Sequence, residues 1–379
     1  MTIRYMDLGG GKRLNDIVMV GTHDAGITSG DKNVQTQNLD IAGQAAVGVR
    51  FFDIRVAAKT VTNNGVKELQ MRTFHADGAF VKNSSKHRVV DQAVGGTGLS
   101  QKVTHTHLRA GDWGETLQDV LTQARDFVSA PATNSEFLIL KFDKCTNWTL
   151  IADACIHILG AHMYTDGGNV NRKTLNDLAG KVVVLFSPKG KAEHQAMHGV
   201  PHPGILTFAN LAKGDSSSPN AGYQQVYGGL QYYGNFGATA MKTTRSKKLT
   251  TNTKKQVQNM SDASLIPPDV IRMMYWTTTG LRESIQNRDK EMWLPPNLRG
   301  FLEAWDAGMG VGVSAHSPLG FGGAAVMGAV QIKRYMPNII MIDFAHISKS
   351  VLIYNLNKVA AGEISSQESL MGMLVERLG

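Results

Sequence analysis

Ile17 to Asp24 reads IVMVGTHD, and Val49 to Val56 reads VRFFDIRV. Each is a short apolar run that ends in, or carries near its end, residues capable of chemistry: Thr22, His23 and Asp24 in the first, Asp53 and Arg55 in the second. Runs of this length, rich in Val, Ile and Phe, predict buried strands rather than helices. The pattern recurs at Glu68 to His75, Phe137 to Phe142 (FLILKF), Val182 to Ser187, Val270 to Thr277 and Ile339 to Asp343 (IIMID). Between the runs lie segments of helical spacing. Thr116 to Val128 sets Leu117, Val120, Leu121, Ala124 and Val128 on one face, and Trp148 to Leu159, Asn297 to Asp306 and Ile347 to Val359 also read as helices. Gly308 to Gly328 is glycine-rich and mixes loop with closely packed helix. Alternating strands and helices define an α/β class, and no composition break or proline-rich linker divides residues 1–379. The expectation is one domain, a single distorted (β/α) TIM-like barrel with irregular strand connections. An open doubly wound sheet is the rival, but no glycine-rich phosphate loop follows a strand.

Composition narrows the function classes. The chain is 42% hydrophobic and 18% charged, which excludes disorder as the main state. No apolar run approaches the roughly 20 residues of a membrane-spanning helix, and MTIRYMDLGGGKRL lacks the apolar stretch of a secretory signal, so a soluble chain is expected. Its compartment stays open, because leaders are removed and leaderless export leaves no compositional trace. Cys145 and Cys155 are too few for a disulfide scaffold or a thiolate zinc site. A net charge of +8 favours anionic partners. The densest basic segment, Lys242 to Lys255, has no interleaved aromatics and reads as a solvated face, so nucleic acid is not expected as a partner.

Polar residues gather where strands end. In a barrel the C-terminal strand ends open on one face, where active sites are built. His23, Asp24, Asp53, Arg55, His75, Lys141 and Asp343 all fall at or next to such ends. A lone histidine in that position is more often structural than catalytic, yet convergence of this many opposed charges is not something that stability requires. Asn63, Asn64 and Gly65 give a hairpin signal, and a turn centred on Gly65 sets Arg55 opposite His75. This favours His75 over the rival pair His105 and His107 as the second site histidine.

GTHDAGI (Gly21 to Ile27), GVRFFDIRV (Gly48 to Val56), the strand ending at His75, EFLILKFDK (Glu136 to Lys144) and IIMIDF (Ile339 to Phe344) together resemble the catalytic domain of phosphatidylinositol-specific phospholipases C. The resemblance implies a distorted barrel that cleaves the bond between phosphate and diacylglycerol, with an inositol hydroxyl as internal nucleophile. It implies His23 as general base, Asp343 holding its ring, His75 as general acid with Asp24 as its carboxylate partner, and Arg55 against the phosphate. Asp53 and Lys141 would complete the polar floor, as substrate contacts or as a structural ion pair. Metal-dependent relatives carry an acidic residue where Arg55 stands, so no metal and no other cofactor is expected.

Departures from the family leave the head group less defined. The bacterial members place an arginine after the strand that here reads VVVLF, where this chain has Ser187 and Lys189; further on it offers Tyr232 and Tyr233, of which Tyr233 is taken as a substrate contact. The segment Ala79 to Gly114 is longer than expected and suits a lid or an extra wall. The expected partners are a phospholipid membrane surface and an anionic phosphodiester substrate, with the chain acting as a monomer, exported as the family is. Met292, Trp293 and Leu294 make a short apolar patch that suits a membrane interface, or a plug over the next helix. Two alternatives remain. One is a metal-dependent barrel phosphodiesterase of the glycerophosphodiesterase or sphingomyelinase D type, which wants a Glu and Asp pair where DIR supplies one carboxylate. The other is a catalytically inactive module that binds anionic lipid.

Overall fold

The computed structural model describes residues 2–76, 78–211, 223–239, 245–262, 267–279, 284–294, 297–298 and 337–364. Its strands, in chain order, are β1 (Met19–Thr22), β2 (Val49–Ile54), β3 (Val56–Asn63), β4 (Val66–His75), β5 (Val81–Val89), β6 (Ser100–Leu108), β7 (Asp112–Thr116), β8 (Phe137–Phe142), β9 (Lys181–Phe186), β10 (Ile205–Asn210), β11 (Gly229–Tyr233), the short β12 (Ala238–Thr239), β13 (Ile271–Trp276), β14 (Thr278–Thr279) and β15 (Ile339–Ile342). The helices are α1 (Ile41–Ala46), α2 (Leu117–Ser129), α3 (Trp148–Leu159), α4 (Leu175–Leu178), α5 (Pro188–His198), α6 (Arg245–Asp262), α7 (Ile285–Met292) and α8 (Ile347–Ala360). Eight strands close a barrel in the order β1, β2, β8, β9, β10, β11, β13, β15, with every neighbouring pair parallel.

The two-residue period of a strand sorts the barrel's side chains into two cores. Phe51, Ile139, Val183, Leu185, Met273 and Met341 point inward and fill the barrel. Phe52, Leu138, Leu140, Phe142, Val184 and Ile340 point outward, into the layer covered by α2, α3 and α8. The same alternation carries Asp53, Lys141, Tyr275, His23 and Asp343 to the inner face at the C-terminal ends of five different strands. Gly21 of β1 leaves room for the side chain of Met341, its pairing partner on the neighbouring β15. α2 starts where the pattern places it: Thr116 caps the helix by accepting from the Asp119 amide, and Leu117, Val120, Leu121, Ala124 and Val128 are buried.

Three features differ from the sequence reading. First, β10 and β11 were not among the strands it identified. Their runs, ILTFAN and GLQYY, are short and broken by polar residues; buried Gln231 is tolerated because its side-chain amide exchanges hydrogen bonds with the backbone of Gln224. Second, Glu68 to His75 is no barrel strand. It belongs to a separate five-stranded sheet, ordered β5, β6, β3, β4, β7, inserted between β2 and α2. Third, the hairpin register differs by one residue. Asn64 and Gly65 both adopt left-handed φ (49° and 80°), so Asn63 pairs with Val66 and Arg55 falls opposite Phe74, whose amide donates to the Arg55 carbonyl at 3.1 Å. The helix read over Asn297 to Asp306, beyond its first two residues, and the glycine-rich stretch Gly308 to Gly328 lie outside the described residues.

Trp293 is a plug and not a membrane contact. It is fully buried, and its indole N–H donates to Asp289 at 3.1 Å while Lys349 sits 5.3 Å from its ring centre. No helix among the described residues is long and apolar enough to cross a membrane.

Candidate active site

Asp24 is the hub of the barrel mouth. It follows β1 by two residues and is held in a left-handed conformation (φ 44°), which turns its carboxylate back over the barrel. Phe344, two residues beyond β15 (φ 47°), and Lys144, two residues beyond β8 (φ 53°), bend in the same way. Each non-glycine residue in that region costs on the order of 1–2 kcal/mol, so strain is concentrated at three strand ends on one face. Hydrogen bonds hold this geometry. Thr36 Oγ1 donates to the Asp24 carbonyl at 2.8 Å, and Gln37 Nε2 donates to the His23 carbonyl at 3.2 Å. Lys349 Nζ donates to the carbonyls of Asp343 and Phe344, both at 2.8 Å.

Around that hub the structure brings together His23, Asp24, Arg55, His75 and Asp343. Asp24 Oδ2 lies 3.1 Å from His23 Nε2 and 3.6 Å from His75 Nε2, while Asp24 Oδ1 is 2.9 Å from Arg55 Nε. On its other side the His23 ring meets Asp343 Oδ1 through Nδ1 at 3.2 Å. His75 Nδ1 donates to the Val34 carbonyl at 2.8 Å, which leaves Nε2 facing the cluster. His75 reaches the barrel mouth from the inserted sheet, through the bulge between β4 and β7. Insertion of this sheet thus does more than add a wall.

The two histidines are in different electrostatic situations. Burial pulls the His23 pKa down, but the Asp24 charge and the hydrogen bond and charge of Asp343 outweigh it and bring it to about 9. For His75, burial is the largest influence and prevails over the attraction of Asp24, so its pKa is lowered. Burial disfavours the Asp24 charge, yet Arg55, His23 and His75 together hold its carboxyl well below the usual range. These opposed directions favour a proton on His23 over one on His75. That is opposite to the order implied by the resemblance, in which His23 accepts a proton and His75 donates one.

The cluster opens on a cavity of about 900 Å³, lined by His23, Arg55 and His75 at its base. Val81, Asn83 and Thr106 of the β5 and β6 hairpin form one side, so the long 79–114 segment does build a wall. Phe236, Tyr275 and Thr277 line the cavity too. Lys144 supplies a second cation there, with its pKa lowered by burial and by the neighbouring Arg55. The Tyr275 hydroxyl is buried at the cavity without a hydrogen-bond partner among the described residues. Sequence reading missed both. Lys144 was within the quoted EFLILKFDK, and the inward period of β13 (Ile271, Met273, Tyr275) pointed to the tyrosine.

Other residues singled out from the sequence lie elsewhere. Lys141 is fully buried beneath the cavity, hydrogen-bonded to Asp53 at 2.9 Å and to Asp143 at 3.4 Å, with Phe208 4.7 Å from its nitrogen. The Lys141 and Asp53 pair is thus a floor that does not reach the cavity lining. Tyr233 is a correction: the strand period turns Tyr232 inward towards Lys141 and Tyr233 outward, where it packs against Val270. His105 is buried in the inserted sheet against Thr60 Oγ1 at 3.0 Å, and His107 is exposed. Neither lines the cavity. Ser187 caps α5 by accepting from the Gly190 amide, and Lys189 is solvated beside Glu193.

No protein-family model matches the chain, and no curated protein matches it. Solved structures with a similar course of chain include a pentafluoro-Phe-incorporated phosphatidylinositol-specific phospholipase C from Staphylococcus aureus, with 18% identity, a TM-score of 0.46 and coverage of 89% of this chain and 88% of that one. A second phosphatidylinositol-specific phospholipase C of S. aureus, from work on modulating its membrane binding, has 18% identity and a TM-score of 0.47, with 90% of each chain covered. PLC21 of S. officinalis is more distant, at 13% identity and a TM-score of 0.33, covering 72% of this chain and 31% of that one.

Proposed function

We propose that the chain is a phosphodiesterase that cleaves a phosphatidylinositol-type phospholipid, with His23 and His75 as an acid–base pair and Arg55 against the phosphate. The observation that carries this reading is that one buried carboxylate, Asp24, touches both histidines and the arginine at 2.9–3.6 Å. Phosphodiester cleavage by an internal hydroxyl needs that set: a base to take the hydroxyl proton, an acid to protonate the leaving oxygen, and a fixed cation beside the phosphate as charge shifts. The hydroxyl oxygen forms a bond to phosphorus, the glycerol oxygen leaves with a proton, and a cyclic phosphodiester and diacylglycerol result. One proton shared by two histidines balances this reaction, because what one takes up the other gives away.

The carboxylates at the barrel strand ends are each met by a cationic or protonatable partner, Asp24 by Arg55, Asp53 by Lys141 and Asp343 by His23, which leaves Asp31 as the cavity-lining carboxylate without an ion pair among the described residues. This donor set favours a metal-independent reaction over the metal-dependent alternative, which needs free carboxylates. Arg55 and Lys144 at the cavity, with the net charge of +8, suit an anionic substrate at a lipid surface. His23→Ala and His75→Ala, assayed on phosphatidylinositol with the fold checked by circular dichroism, are each expected to lose turnover by on the order of 10²–10⁴. Normal turnover in either folded variant contradicts the reading.

A further inference from the structure

α3 and α5 lie side by side on the outside of the barrel, away from the cavity. They approach closely because Gly190 of α5 sits against the Trp148 ring of α3, where any side chain would collide with the indole. Along the rest of that seam α5 offers no apolar side chain. Its sequence is PKGKAEHQAMH, and the buried residues within it are Gly190 and His194. A surface helix normally docks through a stripe of large apolar residues. Here the buried position one turn past the glycine is a histidine.

The four-residue spacing of His194 and His198 puts both on one face of the helix. They meet Asp153, which projects from α3. Asp153 Oδ1 lies 3.5 Å from His194 Nε2 and 3.1 Å from His198 Nε2, and the two imidazole centroids are 4.5 Å apart. The three donor atoms all fall within 4.8 Å of one another. Three electron-pair donors converging on one point, one of them 3% exposed, call for a cation between them. We propose that Asp153, His194 and His198 form a binding site for a divalent transition-metal ion, zinc being the best match, which clamps α3 to α5. Two imidazoles and a carboxylate suit zinc, cobalt or nickel, whereas calcium and magnesium prefer all-oxygen sites.

His202 lies just beyond α5 but is not one of the three residues whose ligand atoms converge. Gly199 ends the helix in a left-handed conformation, and His202 follows, extending the histidine spacing to His194, His198, His202. His202 Nδ1 accepts from the Gly204 amide at 3.1 Å. None of these residues lines the cavity, so the clamp is structural and independent of the acid–base pair.

The test uses the whole chain, stripped with a chelator, dialysed and titrated with Zn²⁺ or Co²⁺ alone. Expected are one equivalent bound by calorimetry, the visible band of tetrahedral cobalt, and a rise in Tm with Zn²⁺ that Ca²⁺ does not produce. His198 is 38% exposed through its side chain, so His198→Ala should fold and should lose affinity by on the order of 100-fold or more. Asp153→Asn provides an independent second variant with the same expectation. Failure of the unmodified chain to bind one equivalent, binding undiminished in both variants, or an equal Tm rise with Ca²⁺ overturns the proposal.

Discussion

His23 and His75 face one another across the Asp24 carboxylate, with ring centroids 6.2 Å apart and planes at 79°. The carboxylate couples the two rings, since it stabilises a proton on either. Asp24→Asn removes that coupling and leaves the partly buried Arg55 guanidinium without its nearest partner. Expected are a fall in kcat/KM by on the order of 10²–10⁴ and a loss of about 3–5 kcal/mol in unfolding free energy, measured by denaturant titration. A folded variant of undiminished stability would mean that Arg55 does not depend on this ion pair.

The pH dependence follows from the single proton on the pair. Activity requires one proton on the two rings, so kcat/KM should fall on the acid side below 6.5, where His75 gains a second proton, and on the alkaline side near 9, where His23 loses the last one. This bell has the same shape whichever ring acts as acid, because the two protonation isomers are in equilibrium. Stability gives an independent readout. The folded pKa of His23 is raised above its unfolded value of 6.5, so its contribution is complete below 6.5 and is lost as pH rises through about 9. Tm should decline across that window, and the part due to this residue should vanish in His23→Gln.

Three of the four histidines in the inserted sheet can be ranked. His75→Ala should abolish turnover while His105→Ala and His107→Ala change it by less than about threefold. His105 is buried and hydrogen-bonded to Thr60, so its loss should register as reduced stability instead. Rates of hydrolysis and urea midpoints for the three variants check the ranking, and a severe kinetic defect in His107→Ala would move the acid–base pair into the wall of the cavity.

Trp293→Ala should cost about 3–5 kcal/mol of stability through the cavity it leaves and the indole hydrogen bond lost to Asp289, which keeps Lys349. For the folded variant at low temperature, vesicle binding should equal that of the unmodified chain, and hydrolysis of bilayer and soluble substrates should keep the same ratio. A selective loss on bilayers would place this tryptophan at the membrane in the working state.

Much of the site was legible because the strand period is insensitive to what surrounds it. Once FLILKF and IIMID are strands, Lys141 and Asp343 must point inward. His75 lies in the cluster, although its sequence suggests a barrel strand and a turn centred on Gly65. Backbone conformation at Asn64 and Gly65 sets the register, and residue type alone does not distinguish the two centres. Lys141 was read as a site candidate because charge at a strand end looks the same whether it opens on a cavity or lies a layer below; depth depends on how Phe208 and Tyr232 close over it. Tyr233 was taken for its neighbour, since without β11 the strand phase was undefined. The cluster of Asp153, His194 and His198 escaped notice because its members come from two helices whose contact depends on Gly190.

The most direct measurement is incubation of the intact chain with phosphatidylinositol, phosphatidylcholine and sphingomyelin vesicles in excess chelator, with products followed by phosphorus NMR. The account predicts diacylglycerol and a cyclic inositol phosphate from phosphatidylinositol at an undiminished rate with chelator present. Turnover that appears only on restoring a divalent metal, or no cleavage of phosphatidylinositol by folded protein, would contradict it.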